Sequence, residues 1–137
     1  MSGPVTVDAS VFVNAFSLTE KGSDQSWDYI NALKNAGTPV IVPALLLPEI
    51  AAAIARKKDD RELGMQIAEE VHNIPSLMLI ALDENLAEQA VEMATTYRLR
   101  ASDAVYAAVA LRFGTELVAL DREQLERLEG VLSVLKP

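Results

Sequence analysis

The chain has no cysteine and only one histidine, His72, in 137 residues. The first absence excludes disulfides, thiolate nucleophiles and thiolate zinc sites, and the second excludes a paired-histidine acid/base system or a histidine-rich metal site. Any chemistry must therefore run on carboxylates, hydroxyls and amines. A basic surplus is also missing: 12 Lys and Arg stand against 20 Asp and Glu, a net charge of −8. That balance argues against a generally basic nucleic-acid face, because phosphate binding normally shows itself as positive surface. Low-complexity tracts and repeats are absent, and no apolar run is long enough to span a bilayer. Met1-Ser2-Gly3-Pro4 leads into a strand with no basic region or signal core, so the expectation is a cytoplasmic protein without a membrane partner.

What remains is a chain that is 50% hydrophobic and 23% charged, long enough for one real core and too short for two, so one domain is expected over residues 1–137. Its apolar period switches repeatedly between short β-like runs and helical stripes, the mark of an α/β chain with a mostly parallel central sheet of four to five strands flanked by helices. Strands are predicted at Val5–Val7, Thr38–Val42, Leu77–Leu82 and Leu117–Leu120, with an edge strand within Val131–Leu135. Helices are predicted over Ser10–Phe16, Asp24–Ala36, Asp60–His72, Asp103–Phe113 and Arg122–Leu128. Two more carry apolar stripes: one through Leu46, Leu47, Ile50, Ala51 and Ile54, and one after Asp83 reaching Tyr97. Ser23 or Asp24, Asp83 and Ser102 are expected N-caps, and Gly37 and Gly114 helix stops.

Four acids stand out by position. Asp8 ends the first strand, Glu49 follows the second strand and its apolar extension, Asp121 closes Leu117–Leu120, and Asp103 opens a helix behind Ser102. Each also has an ordinary role, since an acid at a helix start caps it or complements its dipole. The argument for more is collective. Parallel strands joined by crossover helices share one C-terminal edge, where such sheets bind ligands. Carboxylates brought together there, beside apolar neighbours such as Val11, Leu47, Ile50 and Ala104, repel one another, so some must protonate or a cation must sit between them. The pattern thus points to a divalent-metal site.

The segments Val5-Thr6-Val7-Asp8-Ala9-Ser10, Pro48-Glu49-Ile50, Ala101-Ser102-Asp103-Ala104-Val105-Tyr106-Ala107-Ala108 and Leu117-Val118-Ala119-Leu120-Asp121-Arg122, in that order over almost the whole chain, resemble the PIN domain, the nuclease fold of the VapC toxin in VapBC toxin–antitoxin pairs. The resemblance implies that Asp8, Glu49, Asp103 and Asp121 are catalytic and bind Mg²⁺ or Mn²⁺, with Ser10 supporting them. It further implies metal-assisted hydrolysis of RNA, a VapB-like antitoxin as partner and a homodimer. Two other readings stay open here: a non-catalytic PIN-like module that binds RNA or protein, and a PIN nuclease in RNA maturation. A haloacid-dehalogenase phosphatase would need a second Asp where Ser10 stands, and a receiver domain would need an acidic pair after the first strand and a Lys after Leu117–Leu120.

Candidate RNA contacts are Arg56, Lys57 and Lys58, with Arg98 and Arg100 further on, although each also suits a solvated helix end. Trp27, Tyr29, Tyr97, Tyr106 and Phe113 fall on helical stripes and are expected in the core rather than stacked on bases. His72 is expected at the surface. The stripe Leu46, Leu47, Ile50, Ile54, Leu63 and Ile67 could serve a partner or the core.

Overall fold

Alternation of short apolar runs with helical stripes produces five strands and seven helices in the computed structural model, which describes residues 3–137. The strands are β1 (Val5–Val7), β2 (Val40–Pro43), β3 (Leu77–Ile80), β4 (Glu116–Val118) and β5 (Val134–Leu135). The helices are α1 (Ala9–Ala15), α2 (Ser23–Ala36), α3 (Leu46–Lys58), α4 (Arg61–His72), α5 (Glu84–Tyr97), α6 (Ala101–Phe113) and α7 (Arg122–Arg127). All strands pair in parallel in the order β3-β2-β1-β4-β5, with Val5 opposite both Val40 and Glu116. The α/β architecture with a parallel sheet read from the sequence is the one observed.

Strand β1 lies at the centre, and its residues are buried on both faces, as parallel strands covered by helices require. Helix α6 packs against β1, β2 and β4 and is buried from Asp103 to Ala110. Ala104, Ala107, Ala108 and Ala110 keep that helix thin enough to lie close to the sheet, and Tyr106 on the same helix is wholly buried. Inside the β1–β4 seam, Thr6 and Thr115 share a buried hydroxyl hydrogen bond of 2.6 Å.

Several expected details change. Helix α2 begins at Ser23 with Gly22 as its cap in a left-handed conformation (φ 83°), and Ser23 instead turns its hydroxyl inward to the Ala15 carbonyl. Helix α6 begins at Ala101 with Arg100 at the cap position, so Ser102 is a first-turn residue and not the cap. The final strand is only two residues long and follows a turn at Gly130 (φ 79°). Trp27 and Phe113 are exposed rather than core: Trp27 forms only a T-shaped pair with Phe16, ring centroids 5.5 Å apart. Tyr106 is fully buried, Tyr29 and Tyr97 are partly so, and His72 is exposed. The stripe on α3 and α4 belongs to the core, with Leu46, Ile50, Ile54 and Ile67 buried and Leu47 and Leu63 packed against them. As expected, Asp83 caps α5 through the Leu86 N–H at 2.9 Å, and Gly37 and Gly114 end α2 and α6.

Helices α3 and α4 pack at backbone distance through Gly64. A Cβ there would meet the Ala51 carbonyl oxygen at 2.6 Å and the Ala55 Cβ at 3.2 Å. Gly-to-Ala in a helix interior ordinarily stabilises by about 1 kcal/mol. Here the sign should reverse: Gly64→Ala is expected to destabilise by about 1–3 kcal/mol in urea unfolding, and equal or greater stability would refute close packing at this point.

Candidate functional site

The chain leaves β1 toward β2 on one side and returns to β4 on the other, which makes the C-terminal ends of β1 and β4 a topological switch point, the usual binding crevice of an open parallel sheet. Asp8 stands immediately after β1, tied to β4 by its N–H on the Val118 carbonyl at 2.9 Å. Its Oδ2 accepts the Ser10 N–H at 3.0 Å and so caps α1. Asp121, three residues after β4, caps α7 with Oδ1 on the Glu123 N–H at 2.9 Å. Both acids therefore perform the ordinary capping role and stand at the sheet edge as well; the two readings coexist.

Helices supply the other two acids. Glu49, in the opening part of α3, accepts a 2.8 Å hydrogen bond at Oε1 from the buried Tyr106 hydroxyl. Asp103, in the first turn of α6, accepts the Arg100 Nε–H at Oδ2 at 3.2 Å. Asp8, Glu49 and Asp103 line one cavity of about 690 Å³, together with Ser10 and Ser102. Asp121 sits outside this lining and is joined to it by Arg100, whose Nη2 reaches Asp121 Oδ2 at 2.5 Å.

The electrostatics reflect that crowding. Burial pushes the Asp8 carboxyl up from the usual range; Ser10 partly offsets this, and Asp121 adds to it. Glu49 is likewise raised by burial first, eased by Tyr106 and pushed further by Asp8 and Asp103. Asp103 is raised by burial and by Asp8, and eased by Arg100. The Tyr106 hydroxyl is raised far above its ordinary range by burial beside Glu49, so it stays a hydrogen-bond donor. Arg100 is held charged chiefly by Asp103.

The donor set suits a hard divalent cation: carboxylate oxygens in a cavity, with the Ser10 hydroxyl beside them buried and lacking any hydrogen-bond partner. Among the described residues, however, no group of three or more acidic or histidine side chains is already arranged to enclose an ion. Arg100 is the counter-charge in the arrangement observed.

Of the basic residues singled out in the sequence, Arg56, Lys57 and Arg100 line the cavity, whereas Lys58 and Arg98 do not. Lys57 is bound to Glu20 at 2.6 Å, an ion pair that crosses the cavity rim from α3 to the loop between α1 and α2. That loop is held by Asn14, which donates to the Lys21 carbonyl at 3.1 Å and accepts from Ser26 at 2.7 Å. Two contacts to the acids were not read from the sequence, where Tyr106 is expected only in the core and Arg100 only as an RNA contact. Tyr106 lies one helical turn beyond Asp103, and the i,i+3 spacing was the available sign that it shares the acid's face. Arg100, three residues before Asp103, carried the same sign.

The family model described as the PIN domain matches residues 5–131. No curated protein matches the sequence. Solved structures share the fold: the sarcin–ricin-loop-cleaving toxin VapC20 of Mycobacterium tuberculosis superposes with a TM-score of 0.75 at 17% identity, covering 97% of this chain and 99% of that one. VapBC2 of Rickettsia felis, solved bound to a promoter DNA fragment, gives a TM-score of 0.71 at 14% identity and 98% of each chain. A toxin–antitoxin complex from Klebsiella pneumoniae gives 0.66 at 18% identity and 97% of each.

A carboxyl raised in the folded state makes the native protein hold its proton more tightly than the unfolded chain, so stability is gained as pH falls through the folded value and lost as it rises. In chelator at pH 7, Asp8→Asn, which retains a capping oxygen, is expected to be more stable than wild type by about 1 kcal/mol. The gap should close as the pH drops and wild-type Asp8 takes up its proton. Calorimetry across pH 4–7 tests this, and a variant that melts lower than wild type at pH 7 would contradict the charge crowding.

Proposed function

The chain belongs to the PIN domain family, and from that premise we propose that it is a Mg²⁺- or Mn²⁺-dependent endoribonuclease, the toxin of a VapBC-like toxin–antitoxin pair. The observation that carries the reading is the presence of Asp8, Glu49 and Asp103 in one cavity at the switch point, with Asp121 linked to them through Arg100. Asp8, Glu49, Asp103 and Asp121 would hold the ion. Once bound, it would supply charge neutralisation on the scissile phosphate and a lowered pKa for a water nucleophile.

The protein's own residues account for the rest. Tyr106 holds Glu49 through Oε1, and Glu49 lines the cavity, so Glu49 is suited to orient an attacking water. The Ser10 N–H holds Asp8 through Oδ2, and its buried hydroxyl stands beside that carboxylate as a spare donor. Arg56 and Lys57 on the cavity wall present positive charge to a phosphate chain passing the acids. With a net charge of −8, RNA affinity then rests on these few residues and the bound cation.

The antitoxin partner is supported by the fold shared with VapBC complexes, and the homodimer is proposed on the family resemblance alone. No described helix is long and apolar enough to cross a membrane, which agrees with the cytoplasmic setting proposed for such a pair. A role in RNA maturation would use the same chemistry, and neighbouring genes would separate the two.

Purified protein is expected to cleave RNA with Mg²⁺ or Mn²⁺, to stop in excess chelator, and to lose about a hundredfold or more with Asp103→Asn. Cleavage that survives chelation would end the metal reading; no cleavage under any metal would favour a binding module. In parallel, Mn²⁺ should raise the melting temperature of wild type and leave an Asp8→Asn/Asp121→Asn double variant unmoved. Equal shifts would locate the ion elsewhere.

A further inference from the structure

Arg100 does something in this fold that an ordinary surface ion pair does not. Its guanidinium forks across two carboxylates from different elements, Asp103 at the start of α6 and Asp121 after β4. The three partners differ sharply in exposure: the Arg100 side chain is 71% exposed, Asp121 29% and Asp103 12%. If the fork opens, the guanidinium returns to water at little loss, since exposed ion pairs contribute weakly. Asp103 cannot do the same, because it is buried beside Asp8 and needs a positive partner where it stands.

The backbone around Arg100 is anchored: it is the cap residue of α6, and its carbonyl accepts the Ala104 N–H at 2.9 Å. Only the side chain is free to move, on a fixed base at the cavity wall. A hard divalent cation would draw on the same carboxylate oxygens with twice the charge, whereas a guanidinium only forks between them.

We propose that Arg100 is a tethered counter-cation, bridging Asp103 and Asp121 in the metal-free protein and competing with the divalent ion for them. This rests on the proposed metal site. The exchange has a second consequence: a guanidinium released by metal loading stays on the cavity wall, free to take a phosphate oxygen of the substrate. The metal-free protein is thereby kept from exposing uncompensated acids, and phosphate binding by Arg100 is confined to the loaded state.

The test is calorimetric titration of Mn²⁺ into wild type, Arg100→Gln, Arg100→Lys and Arg56→Gln, with circular dichroism to verify folding. Arg56 lines the same cavity and forms no ion pair among the described residues, so its variant removes equal charge without removing a competitor. Arg100→Gln should bind Mn²⁺ about three- to tenfold more tightly than wild type. Arg100→Lys, which keeps the charge but loses the fork, should fall between them, and Arg56→Gln should stay within about twofold. If wild type binds and Arg100→Gln binds equally or more weakly, or if Arg56→Gln gains as much, competition by Arg100 is refuted while the metal site stands. If none of the four binds, the metal reading falls and takes this inference with it. As a second readout, the Arg100 Nε–H resonance should be protected from solvent exchange in chelator and lose that protection with saturating Mg²⁺. Protection unchanged on Mg²⁺ binding would equally overturn the proposal.

Discussion

Everything at the working end of this molecule follows from the gathering of acidic side chains where a parallel sheet ends. Desolvation and mutual repulsion raise Asp8, Glu49 and Asp103 together, and such a cluster survives only if each member is partnered. The fold provides a partner in every case: a backbone N–H for Asp8 and Asp121, a phenol for Glu49, a guanidinium for Asp103. The central strand, the thin Ala-rich helix α6 and the close α3–α4 contact matter because they hold these donors still. Local stability is sacrificed at the site and recovered in the core, the arrangement expected where charge is kept for chemistry.

Much of the architecture was legible because apolar periodicity is a strong signal and a parallel sheet leaves few alternatives. Runs as short as Val5–Val7, and Val40–Val42 within the predicted Thr38–Val42, read as strands because β-branched residues fill them. Asp83, Gly37 and Gly114 read as caps because their side chains, or the lack of one, do one clear thing. The errors have the opposite character. Ser23 and Ser102 are good cap residues by chemistry, yet tertiary contacts turned Ser23 inward and placed Ser102 inside the first turn of α6. Trp27 fell on a helical stripe, but it pairs with Phe16 just past the end of the short α1 and stays exposed.

For the candidate site, the position of each acid was readable and its partner was not. Sequence order can say that Asp8 and Asp121 end neighbouring strands, since topology converts order into adjacency. It cannot say that Tyr106 crosses to Glu49, 57 residues away, or that Arg100 reaches two acids at once. The i,i+3 spacing marks Tyr106 and Arg100 as sharing the face of Asp103, but which neighbours that face meets depends on the rotation of α6 about its axis, which the helix's near-uniform apolar surface leaves unmarked. Of the basic residues, Arg56 and Lys57 differ from Lys58 only in the face of α3 they occupy, and helical phase at the last turn decides which of them meets the cavity.

The same hydrogen bonds that steady the acids also ration their oxygens. Asp8 commits Oδ2 to Ser10 and Glu49 commits Oε1 to Tyr106, leaving each with one oxygen outside these hydrogen bonds, while Asp121 commits Oδ1 to Glu123 and shares Oδ2 only with the exposed Arg100. Such side chains are better suited to giving an ion one atom apiece than to chelating it through both. A large ion that gathers seven or eight oxygens, often in carboxylate pairs, finds little here; a small one that keeps an octahedron and retains several of its waters finds enough. Discrimination of magnesium from calcium would then be written in helix caps and one phenol, groups that need never touch the metal.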